Sequence, residues 1–255
     1  MTEAASAGPQ LLAMGDRALV VEYGRALNAI TNARVRACAE YLLAHPLPGM
    51  TDVVPAYAAL TVHFDPLRVV ADHRTLDPMG AMREALLRAI AKAPESPKHK
   101  VRTVEIPVCY GGEFGEDLDD VARRCEMTPE EVIKRHAKPL YEVHMLGFVP
   151  GFAYLGGLDR SIATARRDSP RKRIPAGSVG IGGEQTGVYP FATPGGWNLI
   201  GRTPLVLFRI DADPPVLMEP GDRVRFVPVS REAFDKLRSD AGTTAGRQSP
   251  PVPVP

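Results

Sequence analysis

The side chains best suited to act on an amide gather between Gly147 and Pro204. Glu184, Gln185 and Tyr189 follow a run of glycines, and Asn198 and Arg202 follow Trp197, the sole tryptophan of the chain. A pocket that acts on an amide uses a carboxylate as base or metal contact, with amides and an arginine to orient oxygens. Glycine or proline accounts for 18 of the 58 residues in this segment. Phe148, Phe152, Tyr154, Tyr189, Phe191 and Trp197 are interleaved with them, which a mere linker does not need. Backbone approached closely by a ligand needs residues without bulk, so the segment predicts an ordered, glycine-walled pocket.

Arg160, Arg166, Arg167, Arg171, Lys172 and Arg173 form a basic stretch in the same segment, opposed only by Asp159 and Asp168. Arginine forks match carboxylates and phosphates, and the stretch lacks the interleaved aromatics that single-stranded nucleic acid stacks on. The acidic run Glu116-Asp-Leu-Asp-Asp120 reads as a solvated helix start, since acids favour the first turn. His136 and His144 read as structural or exposed. No G-x-x-x-x-G-K-[ST], G-x-S-x-G or H-E-x-x-H pattern occurs, and Gly180-Ile-Gly-Gly183 lacks the following helix that a dinucleotide loop requires. No catalytic pair is identified from spacing alone.

Two sets of elements must position these groups. Gln10–Met14 and Ala18–Tyr23 predict a hairpin turning at Gly15-Asp16. A helix capped by Asn28 follows, with Ile30, Ala33, Ala37, Cys38, Tyr41 and Leu42 at helical spacing and Pro46 beyond its end. Val53–Tyr57 and Leu60–Phe64 favour strands, the first an edge or bulged strand because of Pro55. A second helix places Met79, Met82, Leu86, Leu87 and Ile90 on one face. The order predicts helices on one face of an antiparallel sheet. Ala93 to Lys100 has linker composition.

Beyond it, Val101–Cys109 alternates Val104, Ile106 and Val108, then turns at Gly111-Gly112. Helices over Asp117–Cys125 and after Thr128-Pro129 follow, the latter with a capping-box glutamate. Val143–Leu146, Gly177–Ile181, Leu205–Ile210, Val216–Met218 and Arg223–Val227 read as short strands between Gly/Pro turns, which suggests a barrel or sandwich. A closing helix capped by Ser230 runs to Arg238. The expected organisation is an α+β N-terminal domain over residues 1–98, a mainly-β barrel over 99–238, and a disordered Pro-rich tail over 239–255.

Composition narrows the function classes. The 31 basic residues nearly balance 30 acidic ones, giving a formal charge of +1, so neither nucleic acid nor an anionic membrane is gripped by general electrostatics. The first residues lack the basic cluster and apolar run of a signal peptide, and no apolar run approaches the roughly 20 residues of a membrane helix. Cys38, Cys109 and Cys125 are odd in number and far apart, which argues against a disulfide framework or a thiolate metal site and for a reducing, cytoplasmic setting.

Several longer motifs carry a resemblance. Ile106-Pro-Val-Cys-Tyr-Gly-Gly-Glu-Phe-Gly115, Thr128-Pro-Glu-Glu-Val-Ile133, Met145-Leu-Gly-Phe-Val-Pro-Gly-Phe-Ala-Tyr-Leu-Gly-Gly-Leu158, Ile174-Pro-Ala-Gly-Ser-Val179, Gly187-Val-Tyr-Pro190 and Thr193-Pro-Gly-Gly-Trp-Asn-Leu-Ile-Gly-Arg-Thr-Pro204 resemble the family of 5-oxoprolinase B subunits. That family is also labelled KipI, allophanate hydrolase subunit 1 and carboxyltransferase subdomain C/D. Val54-Pro-Ala-Tyr57 and Phe64-Asp-Pro66 extend the similarity towards the N-terminus, to about 230 residues in all.

The resemblance implies a cyclophilin-like β-barrel for the second domain. It also implies one component of an ATP-dependent cyclic amide hydrolase that converts 5-oxo-L-proline to L-glutamate. Its implied partners are a larger homologous protein, the KipA-like C component of 5-oxoprolinase, and a third protein, the A component. ATP is the implied cofactor, with or without Mg2+, at a position the motifs do not locate, and the chain has no Met-Lys-Met biotin attachment site. Motif position and residue chemistry give Glu184 and Arg202 as catalytic candidates. They give Phe152, Tyr154, Arg173, Ser178, Gln185, Tyr189, Trp197 and Asn198 as substrate-binding candidates, with no metal ligands; Ala59 and His144 receive no catalytic role. Two alternatives stay open from the same resemblance: an inhibitor of a sensor histidine kinase, and the carboxyltransferase component of a urea carboxylase-type enzyme.

Overall fold

A computed structural model describes residues 8–24, 28–97 and 101–243. The chain divides into two compact units, Met1–Lys100 and Val101–Pro255.

In the first unit, β1 (Gln10–Ala13) and β2 (Ala18–Glu22) form the expected hairpin, with Gly15 at φ 67° in its turn. Helix α1 (Ala29–Ala44) starts where Asn28 accepts a hydrogen bond from the Thr31 amide. Strands β3 (Met50–Pro55) and β4 (Ala59–Phe64) complete a sheet of order β1-β2-β4-β3. Pro55 therefore lies in an edge strand, where its missing N–H costs no ladder bond.

Helix α2 (Pro66–His73) is absent from the sequence reading, although Asp65 before Pro66 is the same cap-and-proline signal as Thr128 before Pro129. It precedes α3 (Pro78–Ile90), whose cap is Asp77. Leu19, Val21, Leu60, Val62 and Phe64 point to the helical side and pack with Val35, Leu42, Met82 and Leu86. Leu87 departs from the expected buried face and is 48% exposed, since it lies about 100° around the helix from Leu86.

The second unit opens with β5 (Thr103–Tyr110), α4 (Leu118–Arg124) and α5 (Pro129–Ala137). There follow β6 (Tyr141–Leu146), β7 (Ala153–Gly156), β8 (Arg171–Ile174), β9 (Ser178–Gly182), β10 (Gln185–Val188), β11 (Thr193–Gly195), β12 (Asn198–Arg202), β13 (Arg223–Pro228) and α6 (Arg231–Thr243). Strands β10-β7-β6-β13-β5-β12-β9 close into a barrel, and β8 pairs with β11 as a separate ribbon. The α+β unit followed by a β-barrel agrees with the sequence reading. Inward positions recur every second residue: Val104, Ile106 and Val108 on β5 meet Val179, Ile181, Val188, Val143, Leu155, Val224 and Phe226.

Two readings need correction. Leu205–Ile210 and Val216–Met218 form no strand pair, only an isolated bridge between Phe208 and Val216. Pro204, Pro214 and Pro215 lack the N–H donors a ladder requires. The closing helix runs past Arg238 to Thr243, so residues 239–243, expected in the tail, are helical. Asp235 holds both Arg231 and Arg238 along that helix, and its carbonyl accepts from the Ser239 hydroxyl. The remainder of the expected tail lies outside the described residues. Among those described, no helix is long and apolar enough to cross a membrane.

Candidate functional site

Because Val179 and Ile181 fill the barrel, the alternating residues Ser178, Gly180 and Gly182 face outward on β9. Gly187 on β10 lies directly opposite Gly180. The space above these glycines is filled by the protein itself. A methyl group at Gly182 would collide with the Trp197 indole, and one at Gly187 would stand 3.2 Å from Phe152 and 3.3 Å from Trp197. The glycines thus seat aromatic rings against the wall, where the sequence suggested a wall left open for a ligand.

The rings pack edge to face. Phe152 lies 5.6 Å from Trp197, 5.5 Å from Tyr189 and 5.0 Å from Tyr154, between centroids. Phe152, Tyr189 and Trp197 are buried together with Ile174 and Leu199, and Tyr154 is half-buried beside them. Phe148 extends the group outward: it is 60% exposed, packs on Phe152 at 5.6 Å, and has φ 67°. A bulky residue in that left-handed region is strained by roughly 1–3 kcal/mol. Arg166 stands 5.9 Å over the Trp197 ring.

A second group escapes the sequence reading. Asp117, expected on a solvated helix start, is only 3% exposed. Its carboxylate accepts from Arg167 at 2.7 Å, from both terminal nitrogens of Arg171 at 2.8 Å, and from the Leu199 amide at 2.7 Å. Burial alone would raise its pKa, but the hydrogen bonds from Arg171 and Leu199 and the charges of Arg171 and Arg167 outweigh that and hold the carboxyl below its ordinary value. Two members of the basic stretch are therefore engaged internally. Arg160 lies 3.9 Å from exposed Glu184, and Lys172 and Arg173 are exposed. The stretch is not one anion patch. The available signal was Gly115, two residues before Asp117, where any side chain would strike the Ile200 backbone and so marks a close approach of chain segments.

The remaining candidates are placed separately. Asn198 is buried, and its amide donates to the Ala165 and Ile181 carbonyls at 2.9 and 3.2 Å, tying the preceding loop to β9. Gln185 begins β10, half-buried, opposite Gly182. Glu184 sits in the exposed turn before it. Ser178 is fully buried and its hydroxyl has no hydrogen-bond partner among the described residues; its cross-strand neighbour is Arg202, whose Nε is likewise buried and unpartnered. The structure thus brings together the four aromatics, and separately Ser178 with Arg202. It does not bring Glu184 or Arg173 to either group.

Inside the barrel, His136 bridges Tyr110 and Thr186 at 2.8 Å on each side. The Thr186 hydroxyl donates to the Gly180 carbonyl, so it accepts from His136 Nε2–H while Nδ1 accepts from Tyr110. Burial pushes the His136 pKa down to about 3 and keeps the ring neutral. In the first unit, a cleft of about 260 Å³ is bordered by Tyr23, Arg34, Cys38, Ile90 and Glu95. Among the described residues, no three His, Cys, Asp or Glu side chains converge as metal ligands.

Comparison with known proteins places this arrangement among relatives. The family model described as carboxyltransferase domain, subdomain C and D, matches residues 9–218. The chain is 44% identical over 234 residues to the 5-oxoprolinase B subunit of Bacillus subtilis, covering 91% of this chain and 98% of that one. It is 42% identical over 215 residues to the 5-oxoprolinase B subunit of Escherichia coli O157:H7, covering 84% and 94%. The crystal structure of TTHA0988 superposes with a TM-score of 0.73 at 39% identity, over 84% of this chain but only 40% of that longer one.

Proposed function

The chain belongs to the family described as carboxyltransferase domain, subdomain C and D, and from that premise we propose that it is the B subunit of an ATP-dependent 5-oxoprolinase. It works with a larger homologous C component and a third, A component to convert 5-oxo-L-proline to L-glutamate. The observation that carries this reading is the nearly end-to-end match to two proteins named as B subunits of 5-oxoprolinase.

The chemistry suits a shared site. A lactam is a poor electrophile; transfer of the γ-phosphoryl group of ATP to its oxygen releases ADP and activates the ring carbon, water adds there, the C–N bond opens to leave an acyl phosphate, and a second water hydrolyses that to glutamate and inorganic phosphate. The described residues of this chain do not fit the triphosphate, however. Arg167 and Arg171 are held by Asp117, and the sequence has no phosphate-binding glycine-lysine loop, so no step involving ATP is assigned to them. Nor does Asp117 serve as a base, with its oxygens occupied by arginines. What the chain offers is the half-buried Tyr154 ring beside the closed Phe152–Tyr189–Trp197 cluster, and separately the unpartnered Ser178 and Arg202. Its three free cysteines fit a reducing, cytoplasmic compartment.

Mixing the chain with the C and A components tests the proposal. The expected result is 5-oxoproline-dependent release of ADP and glutamate; a complete mixture without turnover refutes it. Membership of a carboxyltransferase-domain family favours one second reading, carboxyl transfer from a biotin carried on another polypeptide. Carboxybiotin-dependent carboxylation of urea, without 5-oxoproline turnover, is the outcome that would select it.

A further inference from the structure

Five arginines of the second unit are half-buried: Arg102, Arg135, Arg167, Arg171 and Arg202. The first four each bond a carboxylate, on Asp222, Glu131 and Asp117, at 2.7–2.9 Å. Arg202 bonds none among the described residues. Its guanidinium stands 5.1 Å from the centre of the Phe114 ring, and its Nε–H is buried with no acceptor among the described residues. A buried donor without an acceptor is rare in folded proteins and calls for an explanation, such as a missing ligand or water.

Arg202 has a second orphan beside it. Ser178 is its directly paired cross-strand residue, is 0% exposed, and its hydroxyl has no partner among the described residues. The stem of Arg202 runs over the turn leading into Ser178, since a Cβ at Gly177 would lie 3.4 Å from Arg202 Cγ. Tyr189, of the aromatic group, sits one strand further and donates its amide to the Ser178 carbonyl at 2.9 Å.

We propose that Arg202 and Ser178 form, on the outer wall of the barrel, the site for the carboxylate of the substrate, with the ring of that substrate lying toward Tyr189. The identity of the substrate rests on the 5-oxoprolinase reading; the site itself rests on the unpaired donors. The charge balance selects the ligand. Glu113 is paired with Arg231 and Glu116 with Arg171, which leaves one uncompensated positive charge at Arg202. One unpaired guanidinium matches a singly charged carboxylate and is too little positive charge to balance a triphosphate. Among the described residues no hydrogen bond ties the Arg202 head, so that side chain can turn without breaking one.

The test compares Arg202→Gln, Arg202→Lys and Ser178→Ala in the assembled enzyme. It also follows binding of 5-oxo-L-proline and of 2-pyrrolidinone, the same ring without the carboxylate, to the full chain through Trp197 fluorescence. Loss of a charge-assisted pair predicts that Arg202→Gln raises the KM for 5-oxoproline at least about tenfold, with the KM for ATP unchanged. Ser178→Ala has a smaller effect in the same direction, Arg202→Lys recovers part of the loss, and 2-pyrrolidinone binds wild type and Arg202→Gln alike. An unchanged KM for 5-oxoproline, or a rise in the KM for ATP instead, overturns the site. So does a loss in Arg202→Gln that merely follows a lowered melting temperature and is not relieved by lysine. Absence of turnover in the wild-type complex counts against the 5-oxoprolinase reading alone. The carboxylate site is then judged by the binding comparison, and no preference for 5-oxo-L-proline over 2-pyrrolidinone overturns it.

Discussion

His136 gives the sharpest forecast about stability. It is fully buried in the barrel, and burial pushes its pKa down to about 3. In the unfolded chain an imidazole titrates near pH 6.5. Between those values the unfolded state binds a proton that the folded state refuses, so stability is complete above the unfolded pKa and declines as pH falls. Acidifying from about pH 7.5 to about pH 5.0 should therefore remove about 2 kcal/mol through this one side chain. That window lies above most carboxylate titrations, which keeps Asp117 and its neighbours out of the slope. The control is His136→Gln, whose amide can accept from Tyr110 and donate to Thr186 but cannot titrate. Urea unfolding followed by the fluorescence of Trp197 reports on the barrel unit, because the only tryptophan lies there. Wild type should lose about 2 kcal/mol more than the variant across the window, whatever their difference at the alkaline end. Parallel slopes would refute the claim that the buried ring is neutral.

Three further outcomes follow from packing and pairing. Asp117→Asn strands Arg167 and Arg171 beside a weaker partner and should cost about 2–4 kcal/mol in urea unfolding, partly relieved by added salt. Gly182→Ala drives a methyl into the Trp197 indole and should destabilise by about 1–3 kcal/mol, with tryptophan emission shifted to the red as the ring is displaced. Leu86→Ala should cost about 2–5 kcal/mol while Leu87→Ala stays within about 0.5 kcal/mol, a contrast that thermal melts of the two variants will resolve.

Some of this architecture is carried by local chemistry. Asn28, Thr128-Pro129 and Ser230 start their helices through side-chain oxygens that accept from amides three residues on, a short-range geometry that needs no partner element. The alternation of Val104, Ile106 and Val108 identifies an inward face as soon as a strand is assumed. Where local signals compete, sequence reading fails. Leu205–Ile210 has the composition of a strand, but flanking prolines deny it a ladder. Ala153–Gly156, Gln185–Val188 and Asn198–Arg202 are barrel strands that their glycines disguise as turns, because those glycines answer to close packing across strands and not to backbone bending.

The candidate site divides in the same way. Motif position and residue chemistry singled out Phe152, Tyr154, Tyr189, Trp197, Ser178 and Arg202 together with Arg173, Glu184, Gln185 and Asn198, and glycine and proline content with interleaved aromatics predicted the Gly147–Pro204 segment to be ordered. Sequence cannot say which polar side chains are already consumed. Asn198 is spent on backbone carbonyls and Arg167 and Arg171 on Asp117, about fifty residues away in the chain, because barrel closure brings β12 beside the start of α4. Hydrogen-bond satisfaction depends on neighbours distant in sequence. Residue types thus determined what chemistry this chain can carry, and only the tertiary structure decided that Arg202 and Ser178 still have donors to give.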